Sequence, residues 1–281
     1  MNAMTTSQET LLILGATGKT GGRIVQRLQA LGLPVRQGCR GATPAFDWED
    51  RSTWAAVLQG VHSAYISYQP DLAVPGALES IQAFTDQAVQ SGVRKLVLLS
   101  GRGEVEAQQA ERVVQNSGVD WTLLRASWFC QNFNEAHFLE PILEGELALP
   151  VGPIPEPFVD AEDIADVAVA ALTQPGHSGQ LYELTGPRAL TFAQAVTEIA
   201  QATNCDIGFL SVPADDYRQA LEQQQLPPPL IDLVMYLFTT VLDGRNTAVA
   251  DGVQRALGRP ARDFSDYVRR TAATGAWNRP M

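Results

Sequence analysis

The stretch Leu11-Leu12-Ile13-Leu14-Gly15-Ala16-Thr17-Gly18-Lys19-Thr20-Gly21-Gly22 constrains this chain more than any other. A short apolar run enters a glycine-rich turn, and Ile24, Val25, Leu28 and Leu31 then recur at helical spacing. Strand, glycine turn and helix in that order form the fingerprint of dinucleotide binding. Gly15 lets the chain turn off the strand, Gly18 lets backbone approach a pyrophosphate, and Gly21 lets the helix pack close against the strand. The helix N-terminus then offers unpaired N–H groups and a positive dipole end to phosphate. The spacing is Gly15-x-x-Gly18-x-x-Gly21 rather than G-x-G-x-x-G. A P-loop would need a glycine where Ile13 stands, which disfavours ATP chemistry.

The next strand, Pro34–Cys39, ends at Arg40. An NAD site places Asp or Glu near that point to accept from the ribose hydroxyls. No acidic residue occurs between Gly15 and Phe46, whereas Lys19, Arg23, Arg36 and Arg40 do. A 2′-phosphate suits a planar, doubly donating cation, so Arg40, with Lys19 second, points to NADP(H) over NAD(H).

With 281 residues, 45% of them apolar, the chain can bury a large core. Strands and helices alternate through the first half, which predicts an α/β, doubly wound parallel sheet with a smaller, mainly helical C-terminal lobe. We expect a Rossmann core over 1–150, completed by sheet segments from about 155–185, and a substrate lobe over 186–281. Ala45–Asp47 reads as a short strand, Arg51–Gln59 as a short helix, and Lys95–Leu99 as a buried strand. Prolines crowd the region from Pro141 to Pro157, and regular alternation stops there. Net charge is −11, which disfavours nucleic acid. Cys39, Cys130 and Cys205 show no C-x-x-C spacing, and no metal site is expected. Met1–Thr10 lacks the features of a signal peptide, and Leu230–Leu242, broken by Asp232, is too short to span a bilayer. A cytoplasmic protein acting on a small molecule, as monomer or homodimer, is the expectation. Leu230–Leu242 reads first as core, with a lid or dimer face as alternatives.

Gly-Ala-Thr-Gly-x-x-Gly, Ser100 at a strand end, Trp121-Thr122-Leu123-Leu124-Arg125, Trp128-Phe129 with Asn132-Phe133, and Pro157-Phe158-Val159-Asp160 with Asp163-Ile164-Ala165 resemble NmrA-like atypical short-chain dehydrogenase/reductases. Phe46-Asp47-Trp48 with Trp54, and Arg262-Asp263-Phe264 with Ala276-Trp277, look like the ergot-alkaloid branch, similar to agroclavine and festuclavine dehydrogenases, which reduce an iminium carbon with NADPH. The resemblance implies that Gly15, Thr17, Gly18, Lys19, Thr20 and Gly21 hold the pyrophosphate and that Arg40 follows the second strand as the basic residue. It implies Asp47 and Trp48 near adenine, and Ser67, Tyr68, Gln69 and Ser100 along ribose and nicotinamide. It also implies Trp128, Phe129 and Asn132 near nicotinamide and substrate.

Standard members of that superfamily protonate a ketone oxygen with a tyrosine, assisted by a lysine. Between Gly101 and Trp121 this chain has neither, and its only lysines are Lys19 and Lys95. Two readings follow. In one, an electrophile needing little protonation, an iminium, quinone or activated alkene, takes hydride in an aromatic pocket shaped by Trp128, Phe129, Phe133 and Tyr68. In the other, the chain binds NADP(H) as a signal and does no chemistry. The reductase is preferred. Arg102, Glu104 and Glu106 read as surface charge, His137 as a pocket-side residue, Cys130 as lacking a neighbouring cation, and Asp160 and Asp163 as residues that start a helix.

Overall fold

The computed structural model describes residues 9–278. The leader expectation falls mainly on residues 1–8, outside the described residues. The chain runs β1 (Thr10–Leu14), α1 (Lys19–Ala30), β2 (Val35–Gly38), α2 (Trp54–Leu58), β3 (Val61–Ile66), α3 (Ala77–Gln90), β4 (Lys95–Gly101), α4 (Val105–Gln115) and β5 (Asp120–Ala126). It continues through α5 (Leu139–Glu144), β6 (Glu146–Leu149), α6 (Ala161–Thr173), β7 (Gln180–Leu184), α7 (Phe192–Thr203), β8 (Gly208–Ser211), α8 (Ala214–Gln223), α9 (Pro228–Tyr236), α10 (Gly252–Leu257) and α11 (Phe264–Ala273).

Six strands form one sheet in the order β2-β1-β3-β4-β5-β7, so the strand order reverses at β1. β1 pairs in parallel with β2 and β3, and β3 with β4. A sheet covered on both faces needs apolar side chains pointing both ways, which is why β1 and β4 read as continuous runs rather than alternations. Leu12, Ile13, Leu14, Leu96, Val97 and Leu98 are fully buried.

The chain divides into two compact units. The first comprises the residues up to Ser100, Val105–Arg125 and Ile164–Tyr182; the second comprises Gly101–Glu104, Ala126–Asp163 and the residues from Glu183 onward. The division therefore falls at Arg125 rather than near residue 150. The physical reason is packing: Cys130, Phe133, Phe138, Ile142, Leu147 and Leu149 share one apolar core with Phe158, Phe192, Phe264 and Trp277.

Three local expectations change. Ala45–Asp47 forms no strand, because the Phe46 N–H donates to Cys39 O at 3.0 Å and its ring packs edge-on against Trp48 at 5.0 Å. The Arg51–Gln59 helix is a 3-10 turn, Arg51–Thr53, capped by Asp50, followed by α2. The proline-rich region contains β6, paired in parallel with β8 in a small second sheet. The Leu230–Leu242 segment is core within the second unit: Ile231, Leu233, Met235, Phe238, Val241 and Leu242 are buried. Its helix α9 runs on into a π-helical turn at Leu237–Val241.

Candidate functional site

In the first unit, β1 delivers the chain to Gly15, whose φ of +66° lies in the left-handed region. The Gly15 N–H donates to Gly38 O at 3.0 Å and the Gly18 N–H to Gly15 O at 2.8 Å, closing the turn. A Cβ on Gly21 would sit 2.1 Å from Gly15 O, so only hydrogen fits where helix meets turn. α1 begins with no side-chain cap and no acidic residue in its first turn. An uncapped, uncompensated helix start with half-buried glycine backbone before it suits a pyrophosphate.

The side chains sort themselves by burial. Thr17 is exposed on the turn and Lys19 is half-buried. Thr20 is buried, and its hydroxyl accepts from the phenol of Tyr65 at 2.9 Å. Burial raises the Tyr65 phenol above its ordinary range, keeping it a donor. Thr20 thus has its backbone N–H to offer a phosphate, with its side chain turned inward.

Of the cations near this turn, Arg36 donates to Val57 O and Gln59 O, Arg23 to Lys19 O, and Arg27 pairs with Asp166 at 2.7 Å. Arg40 is exposed and has no partner among the described residues. Ser67 packs on the turn, its Cβ 3.3 Å from where a Gly15 Cβ would stand. Its carbonyl accepts from the Trp48 indole at 3.2 Å, and Tyr68 lies 4.8 Å from the Trp48 ring. Asp47 holds the loop: its carboxylate accepts from the Glu49 N–H and its carbonyl from the Trp54 indole. The geometry brings Gly15, Ser67, Trp48 and Tyr68 into one contact chain, with Gln69 exposed beyond it.

A family described as NAD(P)H-binding matches residues 15–175, more than half of the chain. The NAD(P)H azoreductase of Xenophilus azovorans is 30% identical, over 94% of this chain and 98% of that protein. Agroclavine dehydrogenase of Claviceps fusiformis is 27% identical over 92% and 97%. The solved Citrobacter sp. triphenylmethane reductase complexed with NADP(H) superposes with a TM-score of 0.74 at 16% identity, covering 94% of this chain and 99% of that one. The chain belongs to the NAD(P)H-binding family. Its fold is Rossmann-type, a parallel sheet flanked by helices.

The resemblance to standard reductases ends at α4. Its inward stripe is Ala107, Ala110, Glu111 and Val114, with neither tyrosine nor lysine. Glu111 is buried and forms an ion pair with Arg125 on β5. Ser100, which the resemblance places along the cofactor, donates to Glu111 Oε1 at 2.6 Å. The sequence signal for this pair is a carboxylate on the apolar face of a helix.

In the second unit, Trp128 lies 5.0 Å from Phe238 and 5.7 Å from Phe192, and stacks on Phe138 at 6.5 Å. His137 is exposed and meets Phe138 edge-on at 4.4 Å. Phe129 is half-buried; its backbone bridges Val159. Cys130 is buried, and desolvation, reinforced by Asp160 and Asp163, pushes its thiol well above the ordinary value. It is an inert thiol rather than a nucleophile.

Arg102 and Glu104 are not surface charges. Arg102 donates to Glu183 at 3.3 Å and to Asn246 O at 2.7 Å, and Asn246 donates back to Arg102 O at 3.0 Å. Glu104 is buried because Gly101 leaves room for it: a Cβ there would sit 1.9 Å from Glu104 Oε1. Asp160 does start α6, accepting from the Glu162 N–H at 3.0 Å, and it also takes Gln131 at 2.7 Å and Arg270. Asp163 has a different role. Fully buried, it accepts from the Arg262 N–H at 2.7 Å and pairs with Arg259 at 2.8 Å and with the Arg262 guanidinium.

Glu156 carries no signal in the sequence. It is 1% exposed, and its carboxylate accepts a long hydrogen bond, 3.4 Å, from the Trp128 N–H. Burial pushes its carboxyl up to about 7, against smaller opposing effects from Trp128, Ser127 and Arg102. Among the described residues, no helix is long and apolar enough to cross a membrane.

Proposed function

We propose that this NAD(P)H-dependent oxidoreductase uses NADPH to reduce a small organic electrophile, an iminium, quinone, azo compound or activated alkene, without a tyrosine–lysine pair. The observation that carries this reading is the contrast between the two ends of the site. The turn after β1 has the glycines that a pyrophosphate would need, with Arg40 unengaged among the described residues. The helix where a proton-donating tyrosine and lysine would stand has neither.

When bound, NADPH supplies a hydride. The turn from Gly15 to Gly21 would hold the pyrophosphate through backbone N–H groups, and Arg40 would fork onto the 2′-phosphate. Asp47, Trp48, Ser67, Tyr68, Gln69 and Ser100 would border the rest of the cofactor. An iminium becomes a neutral amine on accepting hydride and needs no proton. A quinone or azo group needs one, which solvent can provide. The relatives named azoreductase and agroclavine dehydrogenase fit this class by name. The three cysteines are free thiols, which suits a cytoplasmic enzyme.

The test is a titration of NADPH and NADH by calorimetry, with NADPH oxidation followed against a panel of iminium ions, quinones, azo dyes and activated alkenes. Preferential NADPH binding with turnover on any panel member is the expected result. Tight binding without turnover across the panel would instead make the chain a cofactor sensor.

A further inference from the structure

The turn at β1 does not account for the buried ion pair beside β4. Glu111 is 2% exposed on the inward face of α4, and Arg125 forks onto it, Nε to Oε1 at 2.9 Å and Nη2 to Oε2 at 2.5 Å. Oε1 accepts a second donor, the Ser100 hydroxyl, at 2.6 Å. A carboxylate paired this way has no proton to give, so the direction of that bond is fixed: Ser100 donates. Its proton is committed to the interior, and lone pairs are the hydrogen-bonding capacity its hydroxyl retains.

Ser100 also stands at a particular place in the sheet. It lies at the carboxyl end of β4, and ligands of open α/β sheets bind beyond those ends, across the point where strand order reverses. β4 is two strands from β1, on the side away from β2 and Arg40. At a spacing of about 4.8 Å per strand, that is roughly 10 Å along the crevice. A dinucleotide with its pyrophosphate at the β1 turn and its 2′-phosphate toward Arg40 runs its other half toward β3 and β4.

We propose that Glu111 and Arg125 are positioning residues that hold Ser100 as a hydrogen-bond acceptor for the nicotinamide half of NAD(P)H. This rests on the reading that the β1 turn binds the cofactor. The ligand group is a donor, either the carboxamide N–H or a ribose hydroxyl. Arg125 has a clear part in this: its rigid fork satisfies and orients a carboxylate that would otherwise be buried alone and free to rotate. The same arrangement denies Ser100 the task of protonating a substrate.

The experiment is NADPH titration, followed by cofactor fluorescence, into the wild type, Ser100→Ala, Glu111→Gln and the double variant. Ser100→Ala removes one hydroxyl and leaves the ion pair in place. Each single variant is expected to raise the Kd for NADPH roughly tenfold, the worth of one hydrogen bond. The double variant should be no weaker than the weaker single, because both act on one bond. Adenosine 2′,5′-bisphosphate, which lacks the nicotinamide half, should bind all four proteins alike. The 3-acetylpyridine analogue of NADPH lacks the carboxamide N–H: a Ser100→Ala loss that vanishes with it assigns the carboxamide, and one that persists assigns the ribose. An unchanged Kd for NADPH in Ser100→Ala overturns the proposal, as do equal losses for the bisphosphate. Should Glu111→Gln not fold, Ser100→Ala with the three ligands decides alone. A wild type that binds the bisphosphate but not NADPH refutes this proposal only; one that binds neither refutes the cofactor reading beneath it.

Discussion

A carboxyl that is 1% exposed and lies beyond salt-bridge reach of any cation among the described residues makes the stability of its surroundings depend on pH. Glu156 is that group. Its ordinary value is 4.5, and burial pushes it up to about 7. The folded protein therefore holds this proton more tightly than the unfolded chain does. The stability it contributes is fully present below about pH 4.5, falls as pH rises, and is lost above about pH 7. At about 1.4 kcal/mol per tenfold change in proton affinity, the interval amounts to about 3 kcal/mol.

Glu156→Gln keeps the shape and removes the titration. Relative to wild type, the variant should gain about 3 kcal/mol of stability between pH 4.5 and pH 8, whatever fixed offset the amide introduces. Urea unfolding of both proteins at half-unit steps across that range, followed by tryptophan fluorescence, gives the difference directly. Trp128 donates its N–H to the Glu156 carboxyl, so the probe reports on the right region. A stability difference that stays flat from pH 4.5 to pH 8 would refute the reasoning. It would mean that water or Arg102 compensates the buried charge.

Other substitutions follow from contacts already described. Arg40→Ala should weaken NADPH binding by roughly tenfold to a hundredfold, the worth of charge-assisted hydrogen bonds, and leave NADH binding unchanged in calorimetry. Gly21→Ala places a methyl 2.1 Å from the Gly15 carbonyl and should cost about 3 kcal/mol or more in thermal unfolding, whereas Gly41→Ala, with open space around it, should cost little. Asp163→Asn leaves Arg259 and Arg262 without their buried partner and should destabilise the protein by about 3 kcal/mol in chemical denaturation, more than loss of an exposed pair such as Asp243–Arg245.

What could be read from the sequence was whatever a local rule determines. The β1 turn was legible because its glycines answer to steric demands within seven residues, and β4 because a strand covered on both faces must be apolar throughout. The small β6–β8 sheet was not. Its strands are four residues long, and each finds its partner about sixty residues away, so neither carries a local signature. The same limit explains the aromatic core of the second unit, where Phe133 meets Phe158, Phe264 and Trp277 only after the chain has folded back on itself.

The buried charges were the deeper omission. Read singly, Arg102, Glu104, Glu111 and Glu156 look like four solvated side chains, and that is the usual fate of such residues. Three of them are resolved by a partner or a void that the fold brings beside them: Asn246 for Arg102, the missing Cβ of Gly101 for Glu104, Arg125 for Glu111. Among the described residues Glu156 forms no salt bridge, and Glu111 and Glu156 consequently do opposite things. Glu111, gripped by Arg125, accepts and so fixes the direction of the Ser100 hydroxyl. Glu156, buried beside Trp128 with no salt bridge among the described residues, keeps its proton up to about pH 7 and is the group whose titration the protein feels. A carboxylate on a helix's apolar stripe, like Glu111, can be recognised in advance. A buried acid in a proline-rich loop cannot, because no periodicity there says which way its side chain points.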